Sequence, residues 1–297
     1  MRIFTRGDLD GLTSTILLTE VESITKIELV HPKDVQDGKA PVGNQDILVN
    51  LPYVVGCGMW FDHHISEENV PANFAFKGRF ELAPSCARVV YNHYAPKHAG
   101  RFEPFKDLLD ATDRLDSATL SLDDVTKPSG YILLGLTLDP RSGLGPEFQK
   151  YFRWLAEYCK EVTVKKLLEH KEVRKRTTRM LNEQQEFQAL LEKHSRQNGN
   201  VIVTDFRGVK DKPVGNRFLV FTQFPEANVE VRLIDGHDGV VVVAVGHSIF
   251  NRTCPVNIGQ LLAAYGGGGH VGAGTAQLAP VGAQAQIESI VAGLKTD

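Results

Sequence analysis

Four short apolar runs, each breaking off in polar or charged residues, constrain this chain more than any other feature: MRIFTR (1–6), KIELVH (26–31), DILVNL (46–51) and GMWFDHH (58–64). Side chains alternate between the two faces of a strand, so a run that is apolar at successive positions is buried on both. Helical patterns lie between and after these runs, in LTSTILLTEVES (12–23) and in APSCARVVYNHYA (83–95), where Ala87, Val90, Tyr91 and Tyr94 share one side. Strands alternating with helices predict an α/β domain built on a doubly wound, mostly parallel sheet. Ligands of such sheets bind beyond the carboxyl ends of the strands. RGDLDG (6–11), NLPY (50–53) and DHH (62–64) all fall at such ends.

From Glu147 to Ser195 the chain is nearly free of Gly and Pro. Phe148, Phe152, Leu155, Cys159 and Val162 form one helical stripe, and Met180, Leu181, Phe187, Leu190 and Leu191 form another. The basic tract KEVRKRTTR (171–179) reads first as a solvated helix face, with Glu169 and Glu172 in pairing reach, and only second as a phosphate contact. After RQNGN, the runs NVIVTDF, RFLVFTQF, VEVRLIDG and GVVVVAVG predict four strands, followed by a helix over VNIGQLLAAYG and the segment GGGGHVGAGT. The expected organisation is an α/β domain over 1–146, a helical linker over 147–196 and a smaller α+β domain over 197–297.

Composition excludes several classes. A net charge of −3 gives no overall polyanion-binding field. The four cysteines never fall in C-x-x-C, which argues against structural zinc and a disulfide scaffold. MRIFTRGDLDG has no apolar signal core and no run reaches membrane-spanning length, so a cytoplasmic location with no membrane partner is expected.

Three clusters can carry chemistry. Asp8 and Asp10 flank one residue after the first strand, a pattern that serves a helix N-cap or presents two carboxylates to a cation. Asp110, Asp113 and Asp116 recur every three residues in DATDRLDSA, either as a solvated face or, in part, against a core. Gly266 to Gly269 precede His270, with Ser248 and Arg252 upstream; the run reads as an anion-binding nest or as a helix C-cap.

Taken together, GDLDG, FDHH and GGGGHVGAGT resemble, in this order and spacing, the DHH phosphoesterase superfamily, and the glycine-rich module resembles that of nanoRNases and related phosphodiesterases. The resemblance implies a phosphoester hydrolase using one or two manganese ions, or magnesium or another divalent cation, at a site facing a cleft between domains. It implies Asp8, Asp10, His63 and Asp113 as metal ligands, His64 at the substrate or leaving group, and Asp62 orienting the site. It also implies that Gly267, Gly268, Gly269 and His270 hold the substrate's phosphate or terminal nucleotide, with Arg252 as a phosphate clamp and Ser248 beside it. Arg141, in LDPRSGLG, reads as a further substrate contact or as part of a simple turn set by Pro140 and Gly143.

Two positions depart from the family pattern. Arg6 stands where the family has His, and Asn50 where it has a metal-bridging Asp. Arginine stays protonated and cannot ligate a metal. The expectation is that the Arg6 guanidinium replaces one cation and pairs with Asp8, while Asn50 meets substrate and one ion remains. The expected substrate is a short oligonucleotide, a cyclic dinucleotide or polyphosphate, with a homodimer left open. The alternative is a protein that binds a phosphate ligand and has lost hydrolysis.

Overall fold

The computed structural model describes residues 1–139, 143–210, 213 and 215–296, so Arg141 lies outside the described residues. The chain forms two units, Met1–Thr119 with Pro128–Thr178, and Leu120–Lys127 with Arg179–Asp297.

In the first unit, β1 (Arg2–Thr5), α1 (Leu9–Val21), β2 (Lys26–Leu29), α2 (Pro32–Gln36), β3 (Asp46–Val49), β4 (Met59–Asp62), α3 (Val70–Asn73), β5 (Gly78–Phe80), α4 (Cys86–Phe102) and α5 (Lys106–Asp116) follow in order. The second unit then takes α6 (Leu122–Thr126), and the first resumes with α7 (Gly130–Gly135), α8 (Pro146–Glu161) and α9 (Val164–Glu169). The boundary at Thr178 falls inside α10 (Lys171–His194). Among the described residues the first sheet has the all-parallel order β2-β1-β3-β4-β5.

Strand alternation divides the core of this unit in two. Ile3, Ile47, Val49 and Phe61 pack on one face against Leu12 and Ile16 of α1, Val89 and Val90 of α4, and Phe152 and Leu155 of α8. Phe4, Leu48 and Trp60 face the other side with Val35 and Leu51. Phe61 is fully buried, which contributes about 1.5–3 kcal/mol. Helix α8, expected as part of a linker, thus supplies core residues of the first unit.

Helix α1 is buried from Leu9 to Leu18 because α4, α5 and α8 all pack on it. Its buried hydroxyls are satisfied locally or by a neighbour: Thr15 Oγ1 donates to the Gly11 carbonyl at 2.7 Å, and Thr13 Oγ1 shares a 2.7 Å hydrogen bond with Thr112 Oγ1.

The second unit contains β6 (Ser195–Asn198), β7 (Val201–Asp205), α11 (Val220–Gln223), β8 (Val229–Asp235), β9 (Val241–His247), α12 (Ile258–Ala263), β10 (Gly268–His270), β11 (Ala273–Leu278) and α13 (Ala283–Leu294). Its sheet order is β10-β11-β9-β8-β7-β6, antiparallel except for β7 beside β8. RFLVFTQF, expected as a strand, forms a turn and the short α11 instead. Two adjacent parallel strands need a crossover between them, and this segment supplies it with Leu219, Val220 and Phe221 buried. Val201, Val231, Val243, Leu262, Ile287 and Ile290 form the core. Among the described residues no helix is long and apolar enough to cross a membrane.

Candidate active site and metal centre

The chain leaves β1, returns beside it as β2, and then continues on the other side as β3, so the order reverses between β1 and β3. A crevice opens beyond the strand ends at such a reversal. Arg6, Asp8 and Asp10 follow β1, Asn50 follows β3, and Asp62, His63 and His64 end β4.

Asp10 sits in the first turn of α1 and is 2% exposed. Its Oδ1 accepts the Ala87 amide at 2.7 Å and its Oδ2 the Cys86 amide at 2.9 Å. These amides open α4, where the helix dipole and unsatisfied N–H groups favour an anion. Ser85 caps the same end by accepting the Arg88 amide at 3.1 Å. Burial raises the Asp10 pKa, against the charge of His63 and the two amides, while Asp8 adds to the rise.

His63 Nδ1 lies 3.0 Å from the Ala83 carbonyl, which can only accept, so Nδ1 carries the proton. The ring nitrogen left to face a ligand is Nε2. That atom is buried with no hydrogen-bond partner, 3.2 Å from Asp116 Oδ2 and 3.8 Å from Asp10 Oδ2. Ligand atoms of Asp10, His63 and Asp116 all lie within 4.8 Å of one another. Two carboxylates converging on an imidazole nitrogen form a donor set that fits a divalent ion accepting both imidazole and carboxylate, such as manganese. Asp116, at the end of α5, keeps 28% of its side chain exposed. Desolvation, then the charges of Asp10 and Asp8, push its carboxyl pKa well above the usual value, with His64 and Arg6 opposing.

Asp62 is 1% exposed, and its Oδ1 lies 2.7 Å from His64 Nδ1. Burial disfavours the charged imidazole of His64. The Asp62 hydrogen bond and the charges of Asp62 and Asp116 outweigh it together with the opposing charge of Arg6, and the His64 pKa is raised. His64 therefore has a fixed ring orientation, and Asp62 favours its charged form.

Asp8, expected as a ligand, is taken up by the protein. It caps α1 by accepting the Gly11 amide at 2.8 Å on Oδ1, which also accepts Asn50 Nδ2 at 3.2 Å, while Oδ2 lies 3.1 Å from Arg6 Nε. Gly11 is required here, because a Cβ would meet the Arg6 carbonyl oxygen at 2.2 Å. Asn50 adopts φ +58°, a region in which Asn is one of the few tolerated side chains. Its amide donates to the Phe61 carbonyl at 3.1 Å, and its buried Oδ1 has no partner.

Asp113 does not join the group around His63. Its Oδ1 accepts Ser85 Oγ at 2.6 Å and its Oδ2 accepts Arg88 Nε at 2.7 Å, so Arg88 on α4 holds it as a counter-ion. Arg88 also reaches Asp110 at 2.9 Å. Residues three apart on a helix differ by about 60° around its axis, so the repeat that contains Asp113 and Asp116 sends them to different neighbours. Nothing in the repeat alone distinguishes them.

In the second unit, Ser248, expected at the substrate, is 3% exposed and its Oγ accepts the amides of Phe250 and Asn251 at 3.2 and 3.0 Å, closing a turn. Gly266, at φ +72°, and the Gly267 amide, which donates to the Leu262 carbonyl at 2.9 Å, end α12 as a C-cap. A Cβ on Gly267 would meet the Thr275 carbonyl oxygen at 2.3 Å, and one on Gly269 the Ala273 carbonyl oxygen at 2.2 Å. The glycines therefore serve close packing of α12, β10 and β11. A Cβ on Gly268 meets nothing within 4 Å, and His270 and Arg252 are exposed, with Arg252 Nε donating to the Ile249 carbonyl at 3.1 Å.

Compared with solved structures, the chain is similar over 99% of its length, and over 98% of the other chain, to PggH, a pGpG-specific phosphodiesterase from Vibrio cholerae, at 32% identity and a TM-score of 0.85. This chain belongs to the DHH phosphoesterase superfamily. As a DHH protein it is a metal-dependent phosphoesterase. The DHH fold is shared with RecJ from Thermus thermophilus in complex with Mn2+, at 16% identity over 99% of this chain and 52% of that one, TM-score 0.58. It is shared too with an exonuclease RecJ bound to manganese, at 16% identity over 99% and 90%, TM-score 0.57. No family model and no curated protein sequence matches.

Proposed function

We propose that this DHH phosphoesterase hydrolyses the phosphodiester of a short linear dinucleotide, pGpG first among them, at a centre holding one divalent ion, manganese in preference to magnesium. The single observation that carries the reading is the buried, partnerless Nε2 of His63 facing the carboxylates of Asp10 and Asp116. Whole-length similarity to a pGpG-specific phosphodiesterase supports a dinucleotide over polyphosphate or a long strand.

Asp10, His63 and Asp116 hold the ion. When bound, it supplies positive charge to the phosphoryl oxygens and lowers the pKa of a bound water. The remaining roles belong to side chains. Arg6, kept close to Asp8, offers its guanidinium to a non-bridging oxygen and stands for the charge of a second ion. Asn50 steadies Asp8 by donating from Nδ2 to its Oδ1 at 3.2 Å. The water oxygen bonds to phosphorus and releases a proton to solvent as the bond from phosphorus to the 3′-oxygen breaks, and His64 gives its proton to that departing oxygen while Asp62 fixes the ring. The products from pGpG are two molecules of GMP. In the second unit, Gly268, Arg252 and His270 remain candidate substrate contacts because they keep exposed surface or an open side.

The test is chromatography of products from pGpG, cyclic diguanylate, a pentanucleotide and polyphosphate, each with manganese and an Asp10→Ala control. GMP from pGpG, faster than any other product and absent from the control, is expected. Faster turnover of polyphosphate or of the pentanucleotide would overturn the substrate assignment.

A further inference from the structure

Two of the three ion-binding groups are positioned by one short segment of chain. The Ala83 carbonyl fixes the tautomer of His63, and the Cys86 and Ala87 amides grip both oxygens of Asp10. The third group, Asp116, belongs to α5. The relative position of these two pieces therefore sets the distance between the ligands.

Asp113 ties the two together. It lies one helical turn before Asp116, and its two oxygens take different donors from the segment that begins α4: Ser85 Oγ at 2.6 Å and Arg88 Nε at 2.7 Å. Ser85 adjoins Cys86 and is itself the N-cap of α4, fully buried. Arg88 adds a second strut to α5 through Asp110 at 2.9 Å. The side chains of Arg88 and Asp113 are 24% and 16% exposed, so water competes little for this pair. The planar guanidinium reaches Asp113 through Nε and Asp110 through Nη2 at once, a fixed spread of donors that a lysine lacks.

We infer that the Ser85–Asp113–Arg88 bridge is a positioning device that sets affinity for the ion, Asp113 acting through α4 and α5 without touching the ion. The inference rests on the reading that Asp10, His63 and Asp116 hold that ion. Groups that orient metal ligands typically contribute 10–100-fold in affinity.

Manganese dissociation constants of the full chain, measured by electron paramagnetic resonance of the free ion, test this without any assay of turnover. Thermal unfolding of each variant reports folding. Asp113→Asn and Arg88→Ala should each weaken manganese binding about 10–100-fold. The double variant should be no weaker than the worse single one, because both remove the same bridge. Arg88→Lys should recover only part of the affinity. Asp10→Asn should abolish binding. Wild-type affinity in both Asp113→Asn and Arg88→Ala, with Asp10→Asn still dead, would overturn the bridge and leave the ion site standing. Complete loss in Asp113→Asn with normal binding in Arg88→Ala would make Asp113 a ligand and equally end the inference. Unchanged affinity in Asp10→Asn would instead overturn the ion site itself. Should Arg88→Ala fail to fold, Ser85→Ala, which keeps the ion pair and removes one strut, must still weaken binding.

Discussion

His63 Nε2 and Asp116 Oδ2 face each other at 3.2 Å, while Nδ1 of the same ring lies 3.0 Å from the Ala83 carbonyl. A divalent cation seated between Nε2 and the carboxylates of Asp10 and Asp116 would bind all three groups at once. Manganese should raise the midpoint of thermal unfolding, and chelation should reverse the rise. At a hundredfold excess over the dissociation constant, the stabilisation is about 2.7 kcal/mol. Asp116→Asn should abolish the manganese effect. Differential scanning calorimetry with and without chelator checks both.

His64 is cast as the group that protonates the leaving oxygen, so its importance should depend on the leaving group. For pGpG, His64→Ala should lower kcat by about 10²–10⁴-fold. For bis-p-nitrophenyl phosphate, whose phenolate departs without help, the loss should be far smaller. Asp62→Asn should show the same pattern more weakly, because Asp62 only holds the ring at 2.7 Å. Equal losses on both substrates would remove His64 from that role.

Arg6 and Asn50 together account for an expected centre of one ion. Arg6→Ala should raise KM and lower kcat while native mass spectrometry still counts a single manganese. Arg6→His with Asn50→Asp replaces the guanidinium by a neutral ligand and the amide by an anion, releasing Asp8 from its present partners. That double variant should bind a second ion. A wild-type protein already carrying two ions would contradict the role given to Arg6.

The glycines of the second unit separate packing from recognition. Gly269→Ala drives a Cβ to 2.2 Å from a carbonyl oxygen at φ +155° and should cost about 1–3 kcal/mol or more. Gly268→Ala has open space around its Cβ and should leave stability unchanged. A rise in KM for Gly268→Ala alone would place the substrate beside it. Urea unfolding and steady-state kinetics on the same two variants give the comparison.

Acid sensitivity should come partly from the amino-terminal ends of β1 and β3, opposite the chemistry. Arg2 holds Asp46 through Nε at 2.8 Å and Nη2 at 2.7 Å, and lowers its carboxyl pKa against burial, with the Gly43 amide assisting. A carboxyl with a depressed folded pKa stabilises the protein above its unfolded value, near 3.9, and that contribution vanishes as pH falls through the folded value. Asp46→Asn should therefore lower stability at neutral pH and flatten its decline below about pH 4. Urea midpoints from pH 3 to 7 measure the slope.

Much of this arrangement was legible in the chain. Strands β1, β3 and β4 end where apolar runs meet polar or charged residues, and a mostly parallel sheet follows from strands alternating with helices. The Arg6–Asp8 pairing was readable because an arginine cannot share a metal's place with an acid without pairing to it. Asp116 was not readable: Asp113 has the same spacing signal, and only Arg88, one turn into α4, decides which acid is taken. RFLVFTQF failed as a strand because local pattern does not reveal that β7 and β8 are parallel neighbours requiring a crossover. Ser248 and the glycine run likewise carried signals of turn and close packing that sequence alone could not separate from those of anion binding.

The most direct measurement is an anomalous difference map at the manganese edge from crystals grown with manganese. One peak is predicted, bounded by the carboxylates of Asp10 and Asp116 and by Nε2 of His63, with the Arg6 guanidinium still beside Asp8. A peak between Asp8 and Asn50, or none at His63, would contradict the account.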